Sequence, residues 1–328
     1  MNKDEIKDLI QRRNRLSKGM MYNLLKTDIG EIEYHIDDVI PKGQITLIYG
    51  PGGHFKSSLS LYFSLCLVAK RDTFYYKNKN DEPVKALIID EEMGIVGLKD
   101  KTLKIMNGLN VSLKDIKDKL FYESIQGFKF NKNGEAKLKR LIAEHDIDVV
   151  IIDSLSRCIE GTENDVENIR KLHDILRKLA EQFGTSFIII HHDRKDSNGG
   201  VDDLRGSGDI ANQVDRIFHL NRYGKNSYCF KIIKSRYGES IPAINFDVND
   251  VDDGIELIYT GLAKDNYDNK IDGAKNAIIK ILKNNGIKRR KEIQDELKLT
   301  RGVIQKALDQ LKNEGKIKNS GRGEYKNV

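Results

Sequence analysis

An α/β fold built on a mostly parallel sheet flanked by helices, with a small helical domain behind it, follows from three observations on the 328-residue sequence. Short apolar, β-rich runs alternate with helical stretches between residues 45 and 190. From 216 to 259 β-rich segments follow one another with turn residues between them. Beyond 270 the pattern becomes helical and basic. Alternating strand and helix is the pattern of parallel βαβ units, and successive turn-linked strands extend such a sheet in an antiparallel manner.

Taken in order, residues 1–29 read as an N-terminal helical segment, because Ile6, Leu9, Ile10 and Leu16 stand among charges as on an amphipathic helix. The main domain covers 30–261. Its parallel strands are expected at 45–49, 86–90, 149–153 and 187–190, its helices near 57–70, 135–145 and 165–183, and the later strands at 216–220, 228–233, 244–248 and 255–259. Residues 262–272 are polar and aperiodic and read as a linker. In 273–328, Ile278, Ile279, Ile281 and Leu282 mark one helix. Ile293 and Leu297 mark a second, and Ile304, Ala307, Leu308 and Leu311 a third with Thr300 as N-cap. Two short segments flanking Ser320-Gly321-Arg322-Gly323 then form a hairpin, so the order is that of a winged helix.

Composition narrows the class. Hydrophobic residues make up 39% of the chain, enough for a buried core. No run approaches the roughly 18 apolar residues of a membrane span, and Met1-Asn2-Lys3-Asp4-Glu5 lacks a signal-peptide core, so a cytoplasmic protein without membrane partners is expected. Cys66, Cys158 and Cys229 are widely spaced in apolar sequence and read as buried, reduced thiols. The net charge of +6 is uneven: residues 272–328 hold 15 Lys+Arg against 7 Asp+Glu, the remainder 41 against 43. The basic tail therefore points to a polyanionic partner.

The chemistry begins between the first parallel strand and its helix, where Gly50-Pro51-Gly52-Gly53-His54-Phe55-Lys56-Ser57 matches the phosphate-binding pattern G-x-x-x-x-G-K-[ST] except at Phe55, where glycine is usual. Backbone N–H groups of such a turn cradle phosphates, Lys56 adds charge, and Ser57, followed by Ser58, offers a hydroxyl to Mg²⁺. ATP and Mg²⁺ are the expected ligands. Glycine at position 55 would permit an unusual backbone angle, so Phe55 predicts slowed hydrolysis. Two strands end in acids that could serve the metal and the attacking water: Asp90-Glu91-Glu92, beginning 34 positions after Lys56, and Asp153, 97 positions after it.

With these motifs in place, residues 30 to 260 resemble the RecA-like ATPases, and within them the hexameric replicative helicases of the RepA and DnaB type. The resemblance implies that Glu92 activates water, with Glu91 as fallback, and that Asp153 orients the Mg²⁺ shell. It implies that His192, ending the strand Phe187-Ile188-Ile189-Ile190-His191-His192, senses the γ-phosphate. No further ligands at useful spacing support zinc at this pair. The stretch 193–208, with Arg194, Lys195 and Arg205, corresponds to a channel loop that holds single-stranded DNA through its phosphates, with Arg157 a weaker candidate for the same channel. Lys234 and Arg236 are similar to the Lys-x-Arg element that reaches a neighbouring subunit's nucleotide, which implies a ring, a homo-hexamer.

In the tail, Arg301, Gln305 and Lys306 lie where a recognition helix would expose them, and Arg322 at the tip of a wing, a set suited to duplex DNA. The sequence thus predicts an ATP-hydrolysing DNA-binding motor, a RepA-like helicase replicating a plasmid, virus or integrated element. The alternative is an ATP-switched DNA-binding regulator or helicase loader that does not unwind.

Overall fold

The computed structural model describes residues 19–28, 31–161, 165–192, 209–237, 241–263, 266–297, 299, 301–321 and 323–327. Helix α1 (Met21–Lys26) leads into the hairpin of β1 (Tyr34–Ile36) and β2 (Ile40–Pro41). Then come β3 (Ile45–Gly50), α2 (Lys56–Val68), β4 (Ala86–Asp90), α3 (Gly94–Leu109), α4 (Leu113–Ile116), β5 (Leu120–Ser124), α5 (Lys132–His145) and β6 (Val149–Asp153). The first unit closes with α6 (Leu155–Cys158), α7 (Val166–Phe183), β7 (Ser186–His192), α8 (Asp209–Gln213), β8 (Arg216–Arg222), β9 (Ser227–Ser235), β10 (Ile244–Val251) and β11 (Gly254–Leu262).

Nine strands form one sheet in the order β11-β10-β9-β8-β3-β7-β6-β4-β5. The six from β8 to β5 are parallel, whereas β9 runs antiparallel to both β8 and β10. Every residue of β3, β4 and β6 is buried, as expected where helices cover both faces. Alternate strand residues feed two apolar cores. Ile48, Ile88, Ile151 and Ile188 pack with α2 on one face, and Leu47, Leu87, Val150 and Ile189 with α5 and α7 on the other. Helix α2 is buried nearly all round, while α7 buries only one stripe, Ile169, Leu172, Ile175, Leu176, Leu179 and Ala180. The Asp165 carboxylate caps the start of α7, and Gly184, at φ +74°, ends it.

Three findings differ from expectation. Helix α3 and strand β5 stand where no element was assigned. Cys229 is half-buried, unlike the buried Cys66 and Cys158. Helix α9 (Asn266–Asn285) begins inside the stretch read as linker. It opens the second unit, which the fold divides from the first at Gly261 and Leu262. There β12 (Lys288–Arg289), α10 (Arg290–Leu297), α11 (Arg301–Asn313), β13 (Ile317–Gly321) and β14 (Glu324–Asn327) follow. The strands pair antiparallel in the order β12-β14-β13, around a core of Ile278, Leu282, Ile293, Ile304, Leu308 and Leu311. Of the expected N-terminal helix only α1 is described, and none of its residues is buried. Thr300 lies outside the described residues.

A buried histidine anchors the β1–β2 hairpin to the sheet. The Asn80 amide donates to the His35 carbonyl at 2.9 Å, which fixes its Oδ1 as acceptor for His35 Nδ1–H at 2.8 Å; His35 Nε2 faces the Ser186 hydroxyl at 3.1 Å. Burial pushes the imidazole pKa down from 6.5 to about 4. The unfolded chain therefore takes up a proton between pH 6.5 and 4 that the folded chain refuses. Stability is fully present above pH 6.5 and falls as the pH drops toward 4. The advantage of the wild type over His35→Gln in denaturant titrations is expected to shrink by about 2.5 kcal/mol between pH 7.5 and 4.5. An unchanged gap would show that this imidazole is not held neutral.

Candidate active site at the carboxyl ends of the strands

Pairing register brings the carboxyl ends of four neighbouring strands to one edge: Gly50 pairs with His192, Ile152 with Ile189, and Asp90 with Asp153. In open α/β sheets ligands gather at this edge. The glycine-rich turn joins it to α2. A side chain at Gly50 would meet the Leu220 carbonyl, its Cβ only 2.2 Å away, so the turn requires glycine there. Pro51 and His54 are half-buried, Gly52 and Gly53 exposed, with Gly53 at φ +74°. His54 Nδ1 accepts the Arg222 N–H at 3.2 Å, which ties the turn to the end of β8. No side chain caps the start of α2, which leaves that helix terminus to the turn. Lys56 is buried, and its Nζ donates to the Gly50 and Pro51 carbonyls at 2.8 Å each. Ser57 is half-buried and Ser58 buried.

Phe55 adopts the left-handed conformation, φ 65° and ψ 13°, that the usual glycine provides. Its ring packs on Tyr228 with centroids 5.5 Å apart and against the α2-side core. The left-handed backbone costs a bulky residue about 1–2 kcal/mol, and packing of the half-buried Phe55 ring on the buried Tyr228 offsets it by about 2 kcal/mol. Because glycine would also lose more backbone entropy on folding, Phe55→Gly is expected to lower stability by about 1 kcal/mol while nucleotide binding survives. A variant that melts higher than the wild type would show that strain outweighs packing.

Asp153 is buried, and apart from the Ser57 hydroxyl that faces it neither carboxylate oxygen has a hydrogen-bond partner among the described residues. Burial raises its pKa to about 6; the Ser57 hydroxyl facing it works in the opposite direction, and Glu92 and Asp90 add to the rise. A buried carboxylate facing a serine hydroxyl fits Mg²⁺, which takes one or two protein oxygens and completes its shell with water and phosphate. Among the described residues no group of three or more His, Cys, Asp or Glu forms a metal cage.

The consecutive acids have different surroundings. Asp90 Oδ1 accepts the N–H groups of Glu92 and Met93 at 3.1 and 2.8 Å, and Oδ2 the Ser124 hydroxyl at 2.8 Å. Glu91 turns toward β5 and accepts three backbone N–H groups, from Gln126, Gly127 and Phe128, at 2.9–3.1 Å. Glu92 turns the other way, its Oε2 3.5 Å from His192 Nε2. That imidazole, then Ser154 and Lys56, hold the Glu92 carboxyl at about 2 against partial burial. His191, by contrast, is fully buried in the sheet. Sequence reasoning missed the tasks of Asp90, Ser124 and Ser154; the density of acids after β4 was the available signal.

Lys234 and Arg236 lie at the other end of the sheet. A register shift, with Ile217 opposite Lys234 but Phe218 opposite Ile232, precedes them on β9. Lys234 Nζ donates to the carbonyls of Ala211 and Val214, and Arg236 to that of Asn212, at the end of α8. Burial and the Arg236 charge lower the Lys234 pKa against the attraction of Asp215. Arg236 also lies 3.7 Å from the buried Asp215, whose two oxygens take Arg177 Nη2 at 2.9 and 2.8 Å. Ser235 pairs with Arg216 and Arg216 with Thr46, so these residues lie two strands across from β3 and about four strand residues, roughly 13 Å, back along the strands from Gly50.

Residues 11–198 match AAA_25, a family described as an AAA domain. The chain belongs to the AAA_25 family. Among solved structures, this AAA domain protein is similar to the RadB recombinase, with TM-score 0.51 and 16% identity over 66% of this chain and 91% of that one. It is also similar to a KaiC-like protein from the hyperthermophilic archaeon Pyrococcus horikoshii OT3, with TM-score 0.50 and 16% identity over 68% and 93%. At such identity the likeness establishes the fold alone, a mostly parallel sheet flanked by helices. No curated protein matches the chain.

Of the residues expected to meet nucleic acid, Arg194, Lys195, Arg205 and Arg322 lie outside the described residues. Arg157 is exposed on α6. Arg301 is the first residue of α11; on the same helix Lys306 is exposed and Gln305 donates to Asp309 at 3.1 Å. Among the described residues no helix is long and apolar enough to cross a membrane.

Proposed function

We propose that this chain is an ATP-hydrolysing, DNA-binding motor, a RepA-like hexameric helicase acting in the replication of a plasmid, virus or integrated element. Lys56 and the turn from Gly50 to Ser58 bind the phosphates, and Ser57 with Asp153 hold Mg²⁺. When bound, the metal neutralises phosphate charge. Glu92 orients and polarises the attacking water, and His192, beside it, reports the γ-phosphate. What supports the ring is the place of Lys234 and Arg236 toward the opposite ends of the strands from the chain's own turn, so that a phosphate they serve would belong to a neighbouring copy. Arg194, Lys195 and Arg205 line the channel for single-stranded DNA. The second unit acts as a winged helix on duplex DNA through Arg301, Gln305, Lys306 and Arg322, in keeping with its excess of basic residues.

Complementation tests the ring. Lys56→Ala and Arg236→Ala are each expected to be inactive alone, and their mixture to regain hydrolysis, because an intact Lys56 from one copy meets an intact Arg236 from the other. A monomer in ATP analogue and single-stranded DNA with undiminished ATPase activity would sink the ring. Hydrolysis stimulated by single-stranded DNA, without strand displacement in either polarity, would favour the ATP-switched regulator or loader.

A further inference from the structure

We propose that Glu91 is a positioning residue for ATP turnover, a strut that sets the direction of Glu92 by clamping the connection between β5 and α5. Past the end of β4 at Asp90 the two glutamates part, Glu91 reaching the connection that follows β5 and Glu92 reaching His192 on β7. Glu92 lies beyond the last paired residue of β4, so no ladder bond fixes it, and its orientation depends on what holds its two predecessors. The Glu91 N–H donates to the Asp153 carbonyl at 2.7 Å, which ties this segment to the end of β6. On the far side its carboxylate gathers the successive N–H groups of Gln126, Gly127 and Phe128.

That connection is itself tied to β4: Ile125 N–H donates to the Asp90 carbonyl at 2.7 Å, and the Ser124 hydroxyl to the Asp90 carboxylate at 2.8 Å. Ile125 sits at φ 49°, a region that β-branched residues rarely enter, while its side chain remains exposed. Such a backbone persists where its surroundings over-determine it, and these conformations gather at functional sites. Here the surroundings are the clamp itself. Two of the three N–H groups belong to the exposed Gln126 and Gly127 and the third to the core residue Phe128, so the carboxylate ties the end of β4 to the core as well as to the loop, and from that end Glu92 reaches toward His192.

This rests on Glu92 as the water-activating group, and the test separates the two ideas. Glu91→Gln keeps one carbonyl oxygen and removes the charge. It is expected to lower kcat about ten- to a hundredfold at unchanged KM and unchanged affinity for a fluorescent ATP analogue. In a Glu92→Gln background the same substitution is expected to cause no further loss, because the strut then has nothing to aim. Ser124→Ala, which cuts the neighbouring tie, is expected to lower kcat in the same sense and decides the matter if Glu91→Gln does not fold. Wild-type turnover in Glu91→Gln, or a loss that adds fully to that of Glu92→Gln, overturns the proposal. Wild-type turnover in Glu92→Gln overturns instead the assignment of Glu92.

Discussion

Glu92→Gln is expected to lower ATP turnover by about 10²- to 10⁴-fold while nucleotide binding remains intact. The carboxylate stands at the sheet edge that carries Lys56 and Asp153, with His192 Nε2 3.5 Å from its Oε2. Its pKa of about 2, set first by that imidazole, makes it a charged acceptor throughout the working range and too weak a base to remove a proton outright. In the proposed mechanism its contribution is therefore to orient the water and to place negative charge beside it, which becomes more valuable as the water gives up its proton in the transition state. Glutamine preserves shape and one acceptor oxygen but removes the charge, so kcat falls and affinity does not. A second consequence follows from the sign of the shift. Because Glu92 stays ionised down to pH values near 2, its protonation imposes no acid limb on turnover above about pH 4. Phosphate release and analogue binding, measured side by side from pH 5 to 9, check both points. Undiminished turnover would return the water-activating role to another group.

The parallel strands were legible because strands buried on both faces must be apolar at consecutive positions, as in Val149–Asp153. Helix α3 was not legible. Only Leu98, Ile105 and Met106 are buried on its 16 residues, and Gly97 and Gly108 interrupt any pattern; a Cβ on Gly108 would lie 2.0 Å from the Ile255 carbonyl, a constraint that arises only from the fold. The start of α9 was hidden because its first turns, Asn266-Tyr267-Asp268-Asn269, have the composition of a loop. At the site, position 55 illustrates how a motif encodes geometry. The loop needs a left-handed residue there; glycine is the usual solution, and Tyr228 permits another. Glu91 and Glu92 were indistinguishable in sequence, since both are acids at a strand end. What separates them is three N–H groups 35 to 37 residues downstream and one imidazole on β7. The grip of Lys234 and Arg236 on α8 likewise spans 20 to 24 residues and depends on the register shift in β9.

Asp153→Asn is expected to stabilise the nucleotide-free protein while removing most of its response to Mg²⁺ and ATP. Burial holds the Asp153 pKa at about 6, against 3.8 for an unperturbed aspartate. Below pH 3.8 the group is neutral in both states and costs nothing. As the pH rises through 6 the folded state must ionise a carboxylate that has left water and is met only by the Ser57 hydroxyl among the described residues, and by pH 7.5 this costs on the order of 3 kcal/mol. Asparagine carries no charge, and its amide can donate toward Glu92 and Asp90, whose charges repel the native carboxylate. A gain of about 1–3 kcal/mol at pH 7.5 is therefore expected, shrinking toward zero as the pH falls to 4. The ligand effect runs the other way. Ligands that bind the folded state stabilise it in proportion to the logarithm of their occupancy, and loss of the Mg²⁺-facing carboxylate removes most of that increment. Thermal unfolding with and without Mg²⁺ and ATP should thus show a crossover, the variant melting higher alone and the wild type gaining more with ligand. A variant that is less stable than the wild type without ligand would mean that Asp153 is satisfied in the fold by contacts of its own. On the proposed assignment the native carboxylate is a charge kept in reserve, destabilising until the metal and nucleotide arrive to meet it.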